Sequence, residues 1–250
     1  RKRPLEDFLG SADDMSEYIG TLQATIEYVR AKERSQKRVG ISFDEWNIWT
    51  VNAPRHEPLW KRAPHLLEDV YTFQDALVFA GLMNTLLNHC DAVKTACLAQ
   101  LVNVIAPIMT EKGGRTFRQT SFYPFRAIAN NASGKTVRAI SDSDTFENMF
   151  GQARYINEAV THDKAKREVC VSLCNYAQEA RAAELELRSF GDLRAAEYIE
   201  MTSSDLFAVN SFDRPDAVVP QEKELPSVKD GSRVSLTLPA MSWSFLKFRY

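Results

Sequence analysis

Two carboxylates, an indole and an amide stand side by side at Asp44-Glu45-Trp46-Asn47, and a second indole follows at Trp49. These types together can do sugar chemistry. A carboxylate can attack the anomeric carbon or exchange a proton with a glycosidic oxygen. Aromatic faces suit the apolar faces of sugar rings, and amides read hydroxyls. The bland alternative is that Asp44 caps a turn and Trp46 closes a core, the commoner meaning of an isolated acidic pair. Position weighs against it. Val39, Ile41 and Phe43 are β-formers that follow a charged, helix-like segment, so the cluster ends an apolar strand. An α/β barrel carries its chemistry at the C-terminal ends of its strands.

The flanking elements fit that grammar. Residues 11–34 read as an amphipathic helix, with Ser11 and Asp14 as a capping pattern and Ile19, Leu22, Ile26 and Val29 as its apolar stripe. Gly20 is expected to allow close packing. Thr50 to His65, with Pro54, Pro58 and Pro64, reads as a long loop leaving the strand's C-terminal end. Thr72 and Asp75 open a second helix, Phe73 to Asn88. The next strand, Ala92 to Gln100, is mostly apolar and ends in an amide. Taken alone, Gln100 is more often a satisfied core amide, but here a second strand presents a polar end to the same face.

After a flexible Gly113-Gly114 loop and a short helical segment at Ser121 to Ala129, the grammar changes. Lys135–Ile140, Ala153–Val160, Glu168–Asn175, Arg181–Leu187, Leu193–Met201, Val234–Leu238 and Trp243–Tyr250 read as strands without intervening helices. That pattern predicts an antiparallel sandwich. The expected division is residues 1–133 for the α/β part and 134–250 for the sandwich, with 203–232 a long loop across it.

A net charge of -2 gives no electrostatic case for nucleic acid or anionic lipid. The apolar run Leu98 to Met109 is too short to span a bilayer. Cys90, Cys97, Cys170 and Cys174 lack metal-ligand spacing and read as free, buried thiols of a reducing compartment, hence a cytoplasmic protein. His56, His65, His89 and His162 are scattered, so no metal site is expected.

The stretch Ile41-Ser-Phe-Asp-Glu-Trp-Asn-Ile-Trp49 resembles the nucleophile strand of glycoside hydrolase family 51, the retaining α-L-arabinofuranosidases. Further similarities run in order along the chain: Leu66-Leu-Glu-Asp, Asp75-Ala-Leu, Lys94 to Thr110, Gln119-Thr-Ser-Phe-Tyr-Pro-Phe125 and Leu238-Pro-Ala-Met-Ser-Trp-Ser244. The resemblance implies a (β/α)8 TIM barrel followed by a jelly-roll-like β-sandwich. It implies that Glu45 is the nucleophile, that Gln100 binds arabinofuranose hydroxyls, that Trp49 lines the cleft, and that Asn47 supports the substrate site. It implies no cofactor, an arabinose-containing oligosaccharide as substrate and homo-oligomeric assembly.

The family's acid/base glutamate sits in an Asn-Glu pair on the fourth barrel strand, well upstream of the nucleophile. About forty residues precede Glu45, so that strand is expected in an N-terminal half, on the same or a separate chain. Asn157-Glu158 falls in the sandwich and is expected at an exposed strand position. Two barrel strands cannot close a barrel. The alternative to a catalytic half is an inactive fragment used for carbohydrate binding or assembly. A further alternative keeps the family but shifts the sugar toward a xyloside or β-glucan.

Overall fold

The protein is described by a computed structural model covering residues 4–49 and 60–250. Most of the proline-rich loop expected after Trp49, with His56, lies outside the described residues. The first part contains α1 (Leu5–Leu9), α2 (Ser11–Lys32), β1 (Ile41–Trp46), α3 (Phe73–Asn88), β2 (Val93–Leu98), β3 (Ile108–Thr110), β4 (Thr116–Arg118) and α4 (Phe122–Asn131). The second contains β5 (Lys135–Val137), β6 (Thr145–Asn148), β7 (Gly151–Arg154), β8 (Ile156–Asp163), β9 (Glu168–Asn175) and β10 (Arg181–Glu186). It closes with β11 (Arg194–Thr202), β12 (Gln221–Glu222), β13 (Val228–Lys229), β14 (Arg233–Leu238) and β15 (Ser242–Arg249).

The strands β1 and β2 pair in parallel through the crossover helix α3, as the alternating helix and strand patterns predict. The start of α3 is a capping box. Thr72 N–H donates to Asp75 Oδ2 at 2.6 Å, and Asp75 N–H donates to Thr72 Oγ1 at 3.3 Å. Every residue from Phe73 to Thr85 is buried, because α3 has α2 and α4 beside it and the sandwich beneath it. Gly81 permits that approach: a Cβ there would run into the Tyr176 hydroxyl.

The sandwich is two sheets, one of order β12-β11-β15-β9-β8-β5 and one of order β10-β14-β13. The larger sheet is buried on both faces. On β9, Cys170 and Cys174 join the core shared with α3 and α4, while Val169, Val171 and Leu173 join the core under the smaller sheet. On β15, Trp243 and Phe245 face the helices, and Leu246 and Phe248 face the smaller sheet. The result is helices, sheet and sheet in three layers, with one core bridging the α/β part and the sandwich.

Several expectations change. Ser11 does not cap α2: its hydroxyl donates to the Phe8 carbonyl at 2.7 Å, because α1 already precedes it and Gly10 takes helical dihedrals. A Cβ on Gly20 would meet nothing within 4 Å, so close packing falls to Gly81. Val39 is exposed and lies before β1. The Gly113-Gly114 loop is the turn of the β3–β4 hairpin, and the strand expected over 153–160 divides between β7 and β8. Within 203–232, two short strands, β12 and β13, pair onto the sheets.

Glu158 is buried, not exposed, because β8 is an inner strand flanked by β9 and β5. Its Oε1 stands 3.1 Å from the Arg154 guanidinium, and burial raises its pKa above the ordinary glutamate range against the pull of Arg154. Only two of the thiols are buried. Burial pushes Cys170 up to about 11 and Cys174 up to about 12, whereas Cys90 and Cys97 are exposed. The reason at Cys97 is geometric: β2 has β1 as its sheet neighbour among the described residues and is otherwise largely uncovered.

Candidate active site

The Asp44-Glu45 pair is presented by a bulge. Phe43 pairs with Ala96 and Trp46 with Leu98, so β1 advances three residues while β2 advances two. An extra residue in one strand resets its alternation and re-aims the side chains around it. Phe43 and Trp46 are an odd number apart, yet both reach the helices. Phe43 meets Tyr18 of α2 at 6.4 Å between ring centroids, and Trp46 meets Phe79 of α3 at 4.8 Å. Trp46 is therefore a core residue. Asp44 and Glu45 are left exposed between these two anchors. Asp44 accepts a 2.5 Å hydrogen bond from Ser42 Oγ. Among the described residues the Glu45 carboxylate has no hydrogen bond or ion pair.

A second set of contacts holds the end of β2 against the end of β1. Ala99 N–H donates to the Trp46 carbonyl at 3.2 Å, next to the exposed Gln100. The Ala99–Gln100 peptide is cis. Asn47 Nδ2 donates to the carbonyls of Ala99 at 2.7 Å and Ile105 at 2.5 Å, and its Oδ1 accepts from Ile48 N–H at 2.8 Å. The amide thus ties the exit of β1 to the loop that follows Gln100, with both of its N–H groups engaged by backbone. Trp49 projects into solvent, 61% exposed. Glu45, Gln100 and Trp49 therefore share one end of the parallel pair, and Asn47 lies beneath them as a fastener.

Sequence reading missed the supports. Gln119, 1% exposed, accepts from Tyr71 N–H at 2.8 Å and donates to the carbonyls of Asp69 and Ala106 at 2.9 and 2.7 Å. Tyr71 in turn donates its hydroxyl to the Ile48 carbonyl at 3.0 Å. Together they link the segments after β1 and β2. The one signal was Gln119's place in a family-like stretch, since a polar residue in a loop announces no burial.

The pattern of the α-L-arabinofuranosidase C-terminal domain matches residues 44–242, which include Glu45, Asn47, Trp49 and Gln100. The chain belongs to the family 51 α-L-arabinofuranosidases. It is 35% identical to the intracellular exo-α-(1→5)-L-arabinofuranosidase 1 of Bacillus subtilis strain 168, over 100% of this chain and 50% of that protein. It is 40% identical to an exo-α-(1→6)-L-arabinofuranosidase of Bifidobacterium longum, over 97% of this chain and 48% of that one. The solved structure of a family 51 α-L-arabinofuranosidase from B. longum superposes with a TM-score of 0.90 at 35% identity, over 100% of this chain and 49% of that one. The chain thus spans about half the length of the curated relatives it matches. Among the described residues, no helix of this family member is long and apolar enough to cross a membrane.

Proposed function

We propose that this chain is the nucleophile half of a retaining, exo-acting α-L-arabinofuranosidase that removes terminal α-L-arabinofuranosyl residues. The observation that carries the reading is the bulge at the end of β1, which leaves Glu45 exposed beside Gln100 on the parallel neighbour. In the reaction the Glu45 carboxylate attacks the anomeric carbon as the glycosidic C–O bond breaks, and a second carboxylic acid protonates the departing oxygen. That second group then takes a proton from water, the water oxygen attacks the same carbon, and Glu45 is released as carboxylate. Two inversions give net retention, and the atoms balance without metal or organic cofactor. Gln100 reads sugar hydroxyls, Trp49 lines the cleft, and Asn47 holds the two strand ends in register.

The acid/base group comes from the N-terminal half of the barrel, a partner region in the same or a separate chain. Glu158 is not a substitute, being buried in the sandwich and paired with Arg154. The isolated position of Glu45 fits the division: a nucleophile that must stay ionised needs hydrogen-bond donors around it, and the missing strands would supply them. Residues 1–133 form the barrel portion and 134–250 the sandwich. The relatives named intracellular support a cytoplasmic enzyme, and the assembled protein is a homo-oligomer, measurable by light scattering.

The decisive experiment joins this chain to the N-terminal half of a relative's barrel and offers an aryl α-L-arabinofuranoside. Hydrolysis is expected, with loss on Glu45→Ala and recovery with added azide as the inverted glycosyl azide. Full activity in Glu45→Ala would remove the nucleophile assignment. No turnover in the intact pair would leave a non-catalytic carbohydrate-binding or assembly module.

A further inference from the structure

Between α4 and the outer edge of the larger sheet lies a cavity of about 680 Å³ that none of Glu45, Gln100 and Trp49 lines. Its size is that of a small-molecule site, about 300–1,000 Å³. Tyr123, on α4, lines it. The residue is only 8% exposed, and its buried hydroxyl has no hydrogen-bond partner among the described residues. A buried hydroxyl without a partner costs free energy unless something that binds there supplies one.

Charged groups of both signs surround the same space without neutralising one another. Arg118 and Arg126 come from the end of β4 and from α4, while Asp216 and Glu222 come from the loop before β12 and from β12 itself. None of the four takes part in an ion pair among the described residues. A third carboxylate of the lining, Glu197, is already paired with Lys247 at 2.9 Å, so two unpaired cations face two unpaired anions and favour neither an anionic nor a cationic ligand. They do offer forked donors and acceptors, which vicinal hydroxyls match, over an apolar floor of Ile199 and Val219.

The walls are held in place before any ligand arrives. Asn210, 1% exposed, donates from Nδ2 to the carbonyls of Arg118 at 2.9 Å and Val218 at 3.0 Å, and accepts from Val218 N–H at 2.7 Å. The loop that bears Asp216 is thereby pinned to the strand that bears Arg118. On the far side, β12 is fixed by pairing with β11 at Ile199–Glu222 and Glu200–Gln221. Pre-organised polar groups around a buried unpartnered hydroxyl are the design of a binding site.

We propose that this cavity is a second saccharide site, taking a short uncharged oligosaccharide whose hydroxyls bridge Tyr123, the two arginines and the two carboxylates. It would hold polymeric substrate on the enzyme away from the cleavage point. The class of ligand follows from the cavity's own chemistry; choosing arabinotriose as the probe rests on the function proposed above. The full enzyme, carrying Glu45→Gln to stop turnover, is titrated calorimetrically with arabinotriose. Adding Tyr123→Phe and Asp216→Ala should weaken one binding event about ten-fold, the loss of one or two hydrogen bonds at about 1 kcal/mol each. No binding, or binding that this pair of substitutions leaves unchanged, overturns the site. With Glu45 intact, the same pair should leave hydrolysis of an aryl α-L-arabinofuranoside unaltered and slow that of a long arabinan. A response in the titration without aryl-glycoside hydrolysis would sink only the catalytic reading. Hydrolysis without a response would sink only the second site.

Discussion

Asn47 carries more of the candidate site's geometry than its place in an exposed motif implies. Its side chain makes three hydrogen bonds to backbone at the two strand ends. Replacing it with Ala leaves the Ala99 and Ile105 carbonyls without that donor, and each buried acceptor left unsatisfied costs about 1–3 kcal/mol. In the assembled enzyme Asn47→Ala should therefore lower the melting temperature and reduce kcat. Asn47→Asp should not rescue either, because a carboxylate cannot donate to two carbonyls. If Asn47→Ala raised KM alone, with stability and kcat unchanged, Asn47 would be a sugar contact and not a fastener.

At the scale of elements, α3 is the axle between the βαβ unit and the sandwich, and its capping box is wholly buried. Asp75→Ala removes the acceptor for both the backbone N–H and the hydroxyl of Thr72. A lost N-terminal cap costs about 0.5–2 kcal/mol, and the buried setting points to the upper end. Urea unfolding should show a lower midpoint with an unchanged slope; an unaltered midpoint would mean that packing alone fixes the helix start.

The strand β8 bears a pH-dependent element. Glu158 binds its proton more tightly in the fold than in an unfolded chain. Its contribution to stability is thus fully present below the ordinary glutamate value, about pH 4.3, and is lost as pH rises through the raised folded value. Glu158→Gln cannot ionise. The melting temperature of Glu158→Gln minus that of the wild type should therefore climb between pH 4 and pH 7. A flat difference would mean that Arg154 fully offsets the burial.

At the scale of the whole molecule, the two ends of the chain differ in how completely they are covered. The strands β9 and β15 are inner strands with a core on each face, whereas β1 and β2 pair with one another and, among the described residues, with no other strand. Leu101 and Val102, just after β2, are exposed as well. Open edges and uncovered apolar side chains open easily and invite association. Native-state hydrogen exchange on the chain alone should find the amides of β1 and β2 exchanging far faster than those of β9 and β15. Adding the complementary half of the barrel should slow the first pair selectively. Equal protection in all four strands without it would show that this half stands independently.

Local sequence determined what depends on neighbours along the chain. The strand ending in Asp44-Glu45-Trp46-Asn47, the Thr72–Asp75 box and the helix it opens, and the strands β14 and β15 all follow from residue type and period, and each lies within a residue of where it was expected. Tertiary structure decided whatever depends on what lies across a layer. The bulge that puts Phe43 and Trp46 on one side depends on the register with β2. The burial of Glu158, the exposure of Cys97, the engagement of Asn47 and the bridging role of Gln119 depend on which strands are inner, which are uncovered and which loops meet. The cavity beside Tyr123 is assembled from four segments between residues 118 and 222. Periodicity records which face of an element is apolar; it does not record what stands opposite that face, and the chemistry here is made by what stands opposite.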